Sequence, residues 1–192
     1  MNITEKMLLI AENMQKIFEA GKSQGGGIDT RLKELVEGTL TELVDDTITT
    51  VGGYSFYYST VQKVDLQKCT SVGLYGFYTS TKLTSVNLPN CTTIGNFTFY
   101  GCEALARIDL GSVTSIGTKS FYNCKALKTL IIRTNQVARM TDTNYMLSNT
   151  PISSGKGYIY VPDDLVENYK VTAGWYTYKD HIKGLSELGG EN

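Results

Sequence analysis

The segment 94-IGNFTFYGCEALARIDL-110 contains the pattern that determines the fold. Its apolar residues recur before and after it at intervals of 21 or 22 residues, so that four copies of the pattern can be aligned. The aligned sets are Val51, Val72, Ile94, Ile116; Phe56, Phe77, Phe99, Phe121; Val61, Leu83, Leu105, Leu127; Val64, Val86, Ile108, Leu130; and Leu66, Leu88, Leu110, Ile132. A repeat of this length predicts a solenoid, in which one coil cannot cover its own apolar side chains and neighbouring coils bury them together.

Each repeat combines one strand with a short return. Val86 and Leu88 are two residues apart, so they should face the core while Ser85 and Asn87 face outward. The return from Ile94 to Phe99 is too short for a long helix and favours a helical turn or an irregular arc. The glycine that follows the Ile94 position in every copy is expected to adopt a positive φ at a corner.

Both ends of the array depart from the repeat. A partial copy, with Leu40, Leu43 and Ile48 leading to Val51, has Asp45 where the other copies have an apolar residue. At the other end, residues 158–161 predict a strand, and the residues after Pro162 predict a helix that packs back on the array as a cap. We therefore expect four regions: an N-terminal amphipathic helix (1–22), a linker and lead-in (23–39), the solenoid (40–137) and a strand-helix cap (138–192).

The pattern Ile94-Gly95-x-x-x-Phe99-x-x-Cys102-x-x-Leu105-x-x-Ile108-x-Leu110 resembles the BspA-type leucine-rich repeats of bacterial and bacteriophage proteins. The closing segment, with Gly157 to Pro162 and then Tyr169, Trp175 and Ile182, is similar to the tail of many such arrays. The opening segments 9–14 and 20–22 are similar to the start of such proteins in phages and prophages of Gram-positive bacteria. The resemblance implies an α/β leucine-rich repeat solenoid that acts as an extracellular or virion-associated interaction protein, and it transfers no catalytic residue.

The N-terminal sequence bears on where the protein acts. Residues 1–12 place three charged residues around a short apolar stretch and do not resemble a secretory signal peptide. We therefore expect a phage particle protein, tail- or fibre-associated, that is made in the bacterial cytoplasm. A cell-surface adhesin of bacteria and an intracellular interaction or inhibitor module are the alternatives.

Composition excludes several classes of partner. The net charge is −1 with no basic block, so nucleic-acid binding is not expected. No apolar run reaches the roughly 18 residues that a membrane span needs. His181 is the single histidine, and the sequence pattern indicates no nucleophile that it could activate. We therefore expect no enzyme, no cofactor and no metal site.

The four cysteines follow the repeat. Cys69 and Cys91 are 22 residues apart, as are Cys102 and Cys124. Their spacing predicts small buried side chains that are reduced and inert. A disulfide between neighbouring coils is the alternative, because adjacent strands lie close enough for one.

Two sets of residues are candidates for partner binding. The residue after each core phenylalanine is a tyrosine, which predicts an outward stripe of Tyr57, Tyr78, Tyr100 and Tyr122. Exposed tyrosine is favoured in interfaces, although such a stripe could also serve only to cover the edge of the core. The outward strand residues Asp65, Arg107 and Asp109 form the second set, suited to a protein or a host-surface glycan.

The N-terminal segment predicts an oligomer. Its apolar residues Ile3, Met7, Ile10, Met14 and Ile17 are spaced by 4, 3, 4 and 3 residues, as in a coiled coil. Gly25 to Gly27 then predicts a flexible joint. The alternative is a helix that caps the first edge of the solenoid.

Overall fold

The computed structural model describes residues 39–141 and 145–189, and in them each repeat forms one coil with two short strands. The strands are β1 (Glu42–Val44), β2 (Thr50–Val51), β3 (Lys63–Asp65), β4 (Ser71–Val72), β5 (Ser85–Leu88), β6 (Thr93–Ile94), β7 (Arg107–Leu110), β8 (Ser115–Ile116), β9 (Thr129–Ile132), β10 (Arg139–Met140), β11 (Tyr158–Val161) and β12 (Ile182–Gly184). A seven-stranded parallel sheet has the order β1-β3-β5-β7-β9-β11-β12, and a five-stranded parallel sheet has the order β10-β8-β6-β4-β2. The solenoid of leucine-rich repeats is confirmed, and the smaller sheet is a feature that the sequence pattern did not indicate.

Strands β3, β5 and β7 of the larger sheet divide their residues between core and surface as predicted, whereas Ile131 in β9, which the same alternation turns outward, is buried. Val86 and Leu88 are buried, Ser85 is exposed and Asn87 is partly exposed. Val86 lies opposite Val64 on one side and Ile108 on the other, so equivalent apolar residues form continuous columns through the array. These columns give the solenoid one uninterrupted hydrophobic core.

The core phenylalanines form a column of stacked rings. The centroids of Phe77 and Phe99 are 5.4 Å apart, and those of Phe99 and Phe121 are 5.6 Å apart, with interplanar angles of 5° and 4°. All three side chains are fully buried. Each arc therefore packs on the next through an aromatic contact beneath its backbone.

The predicted positive φ of the repeated glycine is wrong. Gly52, Gly73, Gly95 and Gly117 do not have a positive φ. A Cβ atom at Gly95 would instead lie 2.7 Å from the carbonyl carbon of Gly73 and 2.8 Å from the backbone nitrogen of Leu74. Glycine is needed at this position because the backbones of consecutive coils touch there.

The left-handed positions are occupied by other residues, most of which have side chains. One set follows the repeated glycine by two residues, with Tyr54 at φ 62°, Tyr75 at 56°, Phe97 at 55° and Lys119 at 51°. A second set comprises Tyr58, Thr79, Gly101, Asn123 and Asn149. The turns at these positions let alternate N–H groups of one arc donate to the next coil, as in the bonds from Tyr54 N to Leu74 O (3.0 Å) and from Phe56 N to Gly76 O (2.7 Å).

The first coil and the closing segment differ from the repeats between them. Leu40 and Leu43 are buried, and the Asp45 carboxylate accepts hydrogen bonds from Thr47 and from the backbone N–H of Ile48. Helix α1 (Val166–Val171) and short 3-10 helices at Ile152–Ser154, Asp163–Leu165, Trp175–His181 and Leu185–Glu187 lie near the C-terminal end.

The closing segment is attached to the last coil by two aromatic side chains. Trp175 Nε1 donates to the carbonyl oxygen of Ala138 (2.6 Å), and the backbone N–H of Ala138 donates to the Tyr169 hydroxyl (2.9 Å). Both rings are fully buried. The helix predicted over residues 1–22 lies outside the described residues, and the four region boundaries remain a prediction.

We expect Gly95→Ala to lower the free energy of unfolding by about 2 kcal/mol or more, because the added methyl group would overlap the backbone of the preceding coil. Gly52→Ala is the matched control, since a Cβ there would meet only Ser55 Oγ at 3.3 Å. The control should change the free energy by no more than about 0.5 kcal/mol. Equal losses for the two variants in urea unfolding would contradict the close-approach explanation.

Candidate functional site

The four predicted tyrosines form a regular column on the outside of the arcs. The ring centroids of Tyr57 and Tyr78 are 5.1 Å apart, those of Tyr78 and Tyr100 are 4.9 Å apart, and those of Tyr100 and Tyr122 are 5.0 Å apart. The interplanar angles are 7°, 12° and 10°. The structure therefore brings the predicted stripe together as parallel, half-buried rings.

A second aromatic column runs beside the first. Its members are the left-handed residues Tyr54, Tyr75 and Phe97, with centroid distances of 4.9 Å and 5.1 Å between neighbours. Lys119 occupies the same position in the fourth coil, and its Nζ lies 5.7 Å from the centroid of Tyr122. We call the two columns together the aromatic ridge: Tyr54, Tyr57, Tyr75, Tyr78, Phe97, Tyr100 and Tyr122.

The phenol groups of Tyr57 and Tyr78, in the first column of the ridge, have raised pKa values and stay protonated at neutral pH. Burial raises the pKa of Tyr57 to about 12, with smaller contributions from Tyr58 and Tyr78, and burial also raises the pKa of Tyr78. Tyr58 is 59% exposed and packs edge-on against Tyr57. The Tyr57 and Tyr78 hydroxyls are therefore neutral at neutral pH, and a phenol hydroxyl can donate one hydrogen bond and accept others.

The second predicted set lies on the outer surface of the seven-stranded sheet. A shallow depression there is lined by the outward residues of β1, β3, β5 and β7, among them Asp65, Arg107 and Asp109. Lys63 forms an ion pair with Glu42 across the first two strands, with Nζ 2.9 Å from Oε1. We call this surface the strand face.

Acidic groups of the strand face are already bonded within the protein. Arg133 binds Asp109 through two hydrogen bonds, from Nε to Oδ1 (2.9 Å) and from Nη2 to Oδ2 (2.8 Å), and this contact raises the pKa of Arg133. Asp65 accepts hydrogen bonds from Asn87 and Gln67. Arg107, half exposed and 3.9 Å from Asp109, has the weakest contact of this network.

The ridge and the strand face occupy different parts of each coil. The tyrosines lie on the arcs that follow the five-stranded sheet, whereas Asp65, Arg107 and Asp109 lie on the seven-stranded sheet. Phe97 and Lys119 were not predicted to be part of the outer surface, and neither was Arg133. The 22-residue spacing from Tyr75 to Phe97 and from Phe97 to Lys119 was the signal that could have found the second column.

The cysteines are all buried and free, as their spacing predicted. Cys102 Sγ donates to the carbonyl oxygen of Phe77 (3.1 Å), and Cys124 Sγ donates to that of Phe99 (3.1 Å). Burial raises the pKa of Cys91 to about 12 and holds those of Cys102 and Cys124 far above the ordinary value. Thiolates are therefore scarce at neutral pH, and these side chains fill space in the core.

Side chains that could take part in catalysis or metal binding do not lie close together elsewhere in the described part of the chain. Residues 39–141 and 145–189 contain no cluster of three or more potential metal-ligating side chains and no helix long and apolar enough to cross a membrane. His181 lies beside Tyr158, with 6.1 Å between the ring centroids. Its Nδ1 atom is buried without a hydrogen-bond partner.

A comparison with models of protein families agrees with the fold. The family model described as "BspA type Leucine rich repeat region" matches residues 43–157 in six copies. A crystal structure of a leucine-rich repeat protein from Bacteroides ovatus is similar at 20% sequence identity with a TM-score of 0.47, and the alignment covers 75% of this chain. The aligned region is 41% of the length of that protein. A comparison with curated proteins gave no match.

We expect the thiols to be unreactive in the folded protein. At pH 8 a thiol reagent should modify few of the four cysteines, because burial raises their pKa values and blocks access. In denaturant without a reductant, all four cysteines should react. A count below four after denaturation would instead indicate a disulfide between neighbouring coils.

Proposed function

Because the chain belongs to the BspA-type leucine-rich repeat family, a repeat fold that is generally used for binding, we propose that it is a non-enzymatic binding protein that contacts its partner through the aromatic ridge. The partner is a protein or a glycan of a host surface. This proposal places the function in a surface, not in a pocket with catalytic groups.

The observation that carries this proposal is the backbone conformation of the second aromatic column. A side chain in the left-handed region costs on the order of 1 kcal/mol, and glycine or asparagine avoids most of that cost. Glycine or asparagine occupies three of the five positions in the other left-handed set, Gly101, Asn123 and Asn149, and Tyr58 and Thr79 occupy the remaining two. Tyr54, Tyr75 and Phe97 keep large rings in spite of the strain, which is expected where the rings serve a purpose on the surface.

The strand face is a weaker candidate for the same role. Its carboxylates at Asp65 and Asp109 already accept hydrogen bonds within the protein, so part of their accepting capacity is used before a partner binds. The rings of the ridge are already held rigidly by their neighbours, so binding would cost them little side-chain entropy. We therefore place the partner site on the ridge.

We further propose that the protein acts on a phage particle, as a tail- or fibre-associated component. The resemblance of segments 9–14 and 20–22 to the start of phage repeat proteins supports this location. A bacterial surface adhesin and an intracellular interaction or inhibitor module are the competing locations. Peptides of this chain should be found by mass spectrometry in virions purified from the native host, and their presence only in cell-wall or cytoplasmic fractions would support a competitor.

The N-terminal segment is proposed to make the protein a homo-oligomer. The heptad spacing of Ile3, Met7, Ile10, Met14 and Ile17 supports this role, and these residues lie outside the described part of the chain. In the competing arrangement the same segment covers the first coil of the array. The closing segment, through Tyr169 and Trp175, is proposed to act as the cap at the other end.

We expect Tyr78→Ala combined with Tyr100→Ala to weaken binding of the labelled protein to native host cells by at least about tenfold, since buried tyrosines often dominate interface energies. The comparison protein carries Asp65→Asn, Arg107→Gln and Asp109→Asn on the strand face, and it should bind like the parent. Thermal unfolding of both variants checks that the array remains folded. Normal binding by the tyrosine variant, with loss of binding by the strand-face variant, would move the site to the strand face.

We expect the full chain to be an oligomer in light scattering and a shortened chain that begins at Ile28 to be a stable monomer. The physical reason is that a helix of about two heptads is marginal alone and gains its stability from association. A monomeric full chain whose shortened form aggregates would contradict the oligomer. That result would support the segment as a cover for the first coil.

A further inference from the structure

We propose that the aromatic ridge binds a linear polysaccharide with anionic groups, which lies along the solenoid axis and places about one sugar unit on each coil. This inference rests on the proposed use of the ridge as the binding surface. It adds the chemical class of the partner, its direction and the way in which affinity builds up.

The spacing of the rings is the first argument for a polysaccharide. Neighbouring rings of the Tyr57 to Tyr122 column are separated by 4.9–5.1 Å at nearly constant orientation. An extended peptide advances about 3.3 Å per residue, and one strand of a nucleic acid advances about 3.4 Å per nucleotide, so neither stays in register with the column. A pyranose ring with its glycosidic oxygen spans about one such spacing, so a straight β-linked chain can place one sugar on every coil, with successive sugars turned over relative to each other.

The groups that the ridge exposes suit a sugar chain. Each ring face is turned toward the next ring, so a ligand meets ring edges and phenol hydroxyls. The Tyr57 hydroxyl interacts with Tyr58 and the Tyr78 hydroxyl with Thr79, and a phenol oxygen accepts further hydrogen bonds beyond one such contact. Alternating hydroxyl and apolar surface on the ridge therefore matches the hydroxyl and C–H groups of a polysaccharide.

The charge of the arcs favours an anionic chain. The arc segments 52–60, 73–82, 95–104 and 117–126 contain three lysines, Lys82, Lys119 and Lys125, against the single acid Glu103. Lys119 stands in line with the second column, with its Nζ 5.7 Å from the centroid of Tyr122 and 5.4 Å from that of Tyr145. A carboxylate or phosphate on the sugar chain would meet this excess of positive charge.

The binding experiment uses the full chain and three defined sets of probes in isothermal titration calorimetry. The first set is β-1,4-linked mannuronate oligomers of two to six units, the second is the neutral β-1,4-linked glucose oligomers of the same lengths, and the third is α-1,4-linked glucose oligomers. We expect affinity for the mannuronate series to rise with each added unit until the four coils are covered and then to level off. The neutral β-linked series should bind several-fold more weakly at low salt, and the α-linked oligomers, which curve away from a straight line, should show no increase with length.

Two variants test the residues, each with a matched control. Tyr78→Phe with Tyr100→Phe keeps the stacked rings and removes two hydroxyls, so affinity for the longest mannuronate oligomer should fall about tenfold. Its control is Tyr176→Phe, at an exposed tyrosine of the closing segment. Lys119→Gln should weaken the anionic series by about two- to fivefold, while Lys179→Gln, a lysine over the Tyr176 ring with its Nζ 4.7 Å from the centroid, should not.

The outcomes separate this inference from the proposed function. The polysaccharide proposal is overturned if no binding depends on oligomer length. It is also overturned if the Tyr78/Tyr100 double phenylalanine variant and the parent bind equally. If the Tyr78→Ala, Tyr100→Ala variant has lost binding to host cells in that case, the ridge binds a protein and the proposed function stands. If that alanine variant binds host cells normally, the proposed function fails as well. If the protein associates with itself through Tyr78 and Tyr100, the occupant of the ridge is a second copy of this chain. That result would overturn the polysaccharide proposal.

Discussion

The backbones of consecutive coils touch in this solenoid, and the rest of the structure depends on this contact. The N–H of Gly95 donates to the carbonyl oxygen of Val72 (2.7 Å), and that of Gly117 donates to Ile94 (2.8 Å), so these glycines bond to the coil before them. A Cβ atom at Gly117 would lie 2.5 Å from the backbone nitrogen of Asn96. No side chain fits at Gly73, Gly95 or Gly117, and the chain must therefore return to the same backbone path once in every 21 or 22 residues.

The same contact distance orders the side chains on both sides of the backbone. Inside, Phe77 and Phe99 stack at 5.4 Å, and outside, Tyr78 and Tyr100 stack at 4.9 Å. Adjacent residues thus belong to two parallel aromatic columns, one fully buried and one half-buried. The backbone sets the spacing of both columns. The tyrosine column on the surface is therefore as regular as the phenylalanine column in the core.

The sequence was sufficient to predict the features that depend on periodicity. The inward direction of Val86, the burial of Cys102 and the column of Tyr78 and Tyr100 all follow from one repeat length. The smaller sheet escaped prediction because a two-residue strand such as Thr93–Ile94 is too short to show alternation. The role of Gly95 was mistaken because glycine permits both a positive φ and a close approach, and only the positions of neighbouring atoms distinguish them.

The second column of the ridge was harder to predict because its position is occupied by Lys119 in the fourth coil, so the residue type changes there while the backbone conformation stays the same. Tyr75 and Phe97 are aromatic and Lys119 is not, yet each has a φ between 51° and 56°. Stacking between Tyr75 and Phe97 offsets part of the strain that this conformation imposes. A ring held in this way has little freedom left to lose, so a ligand that contacts several coils gains from each contact at low entropic cost. The affinity of such a surface depends on the number of coils in register, and a change that breaks the register weakens it more than the loss of one ring.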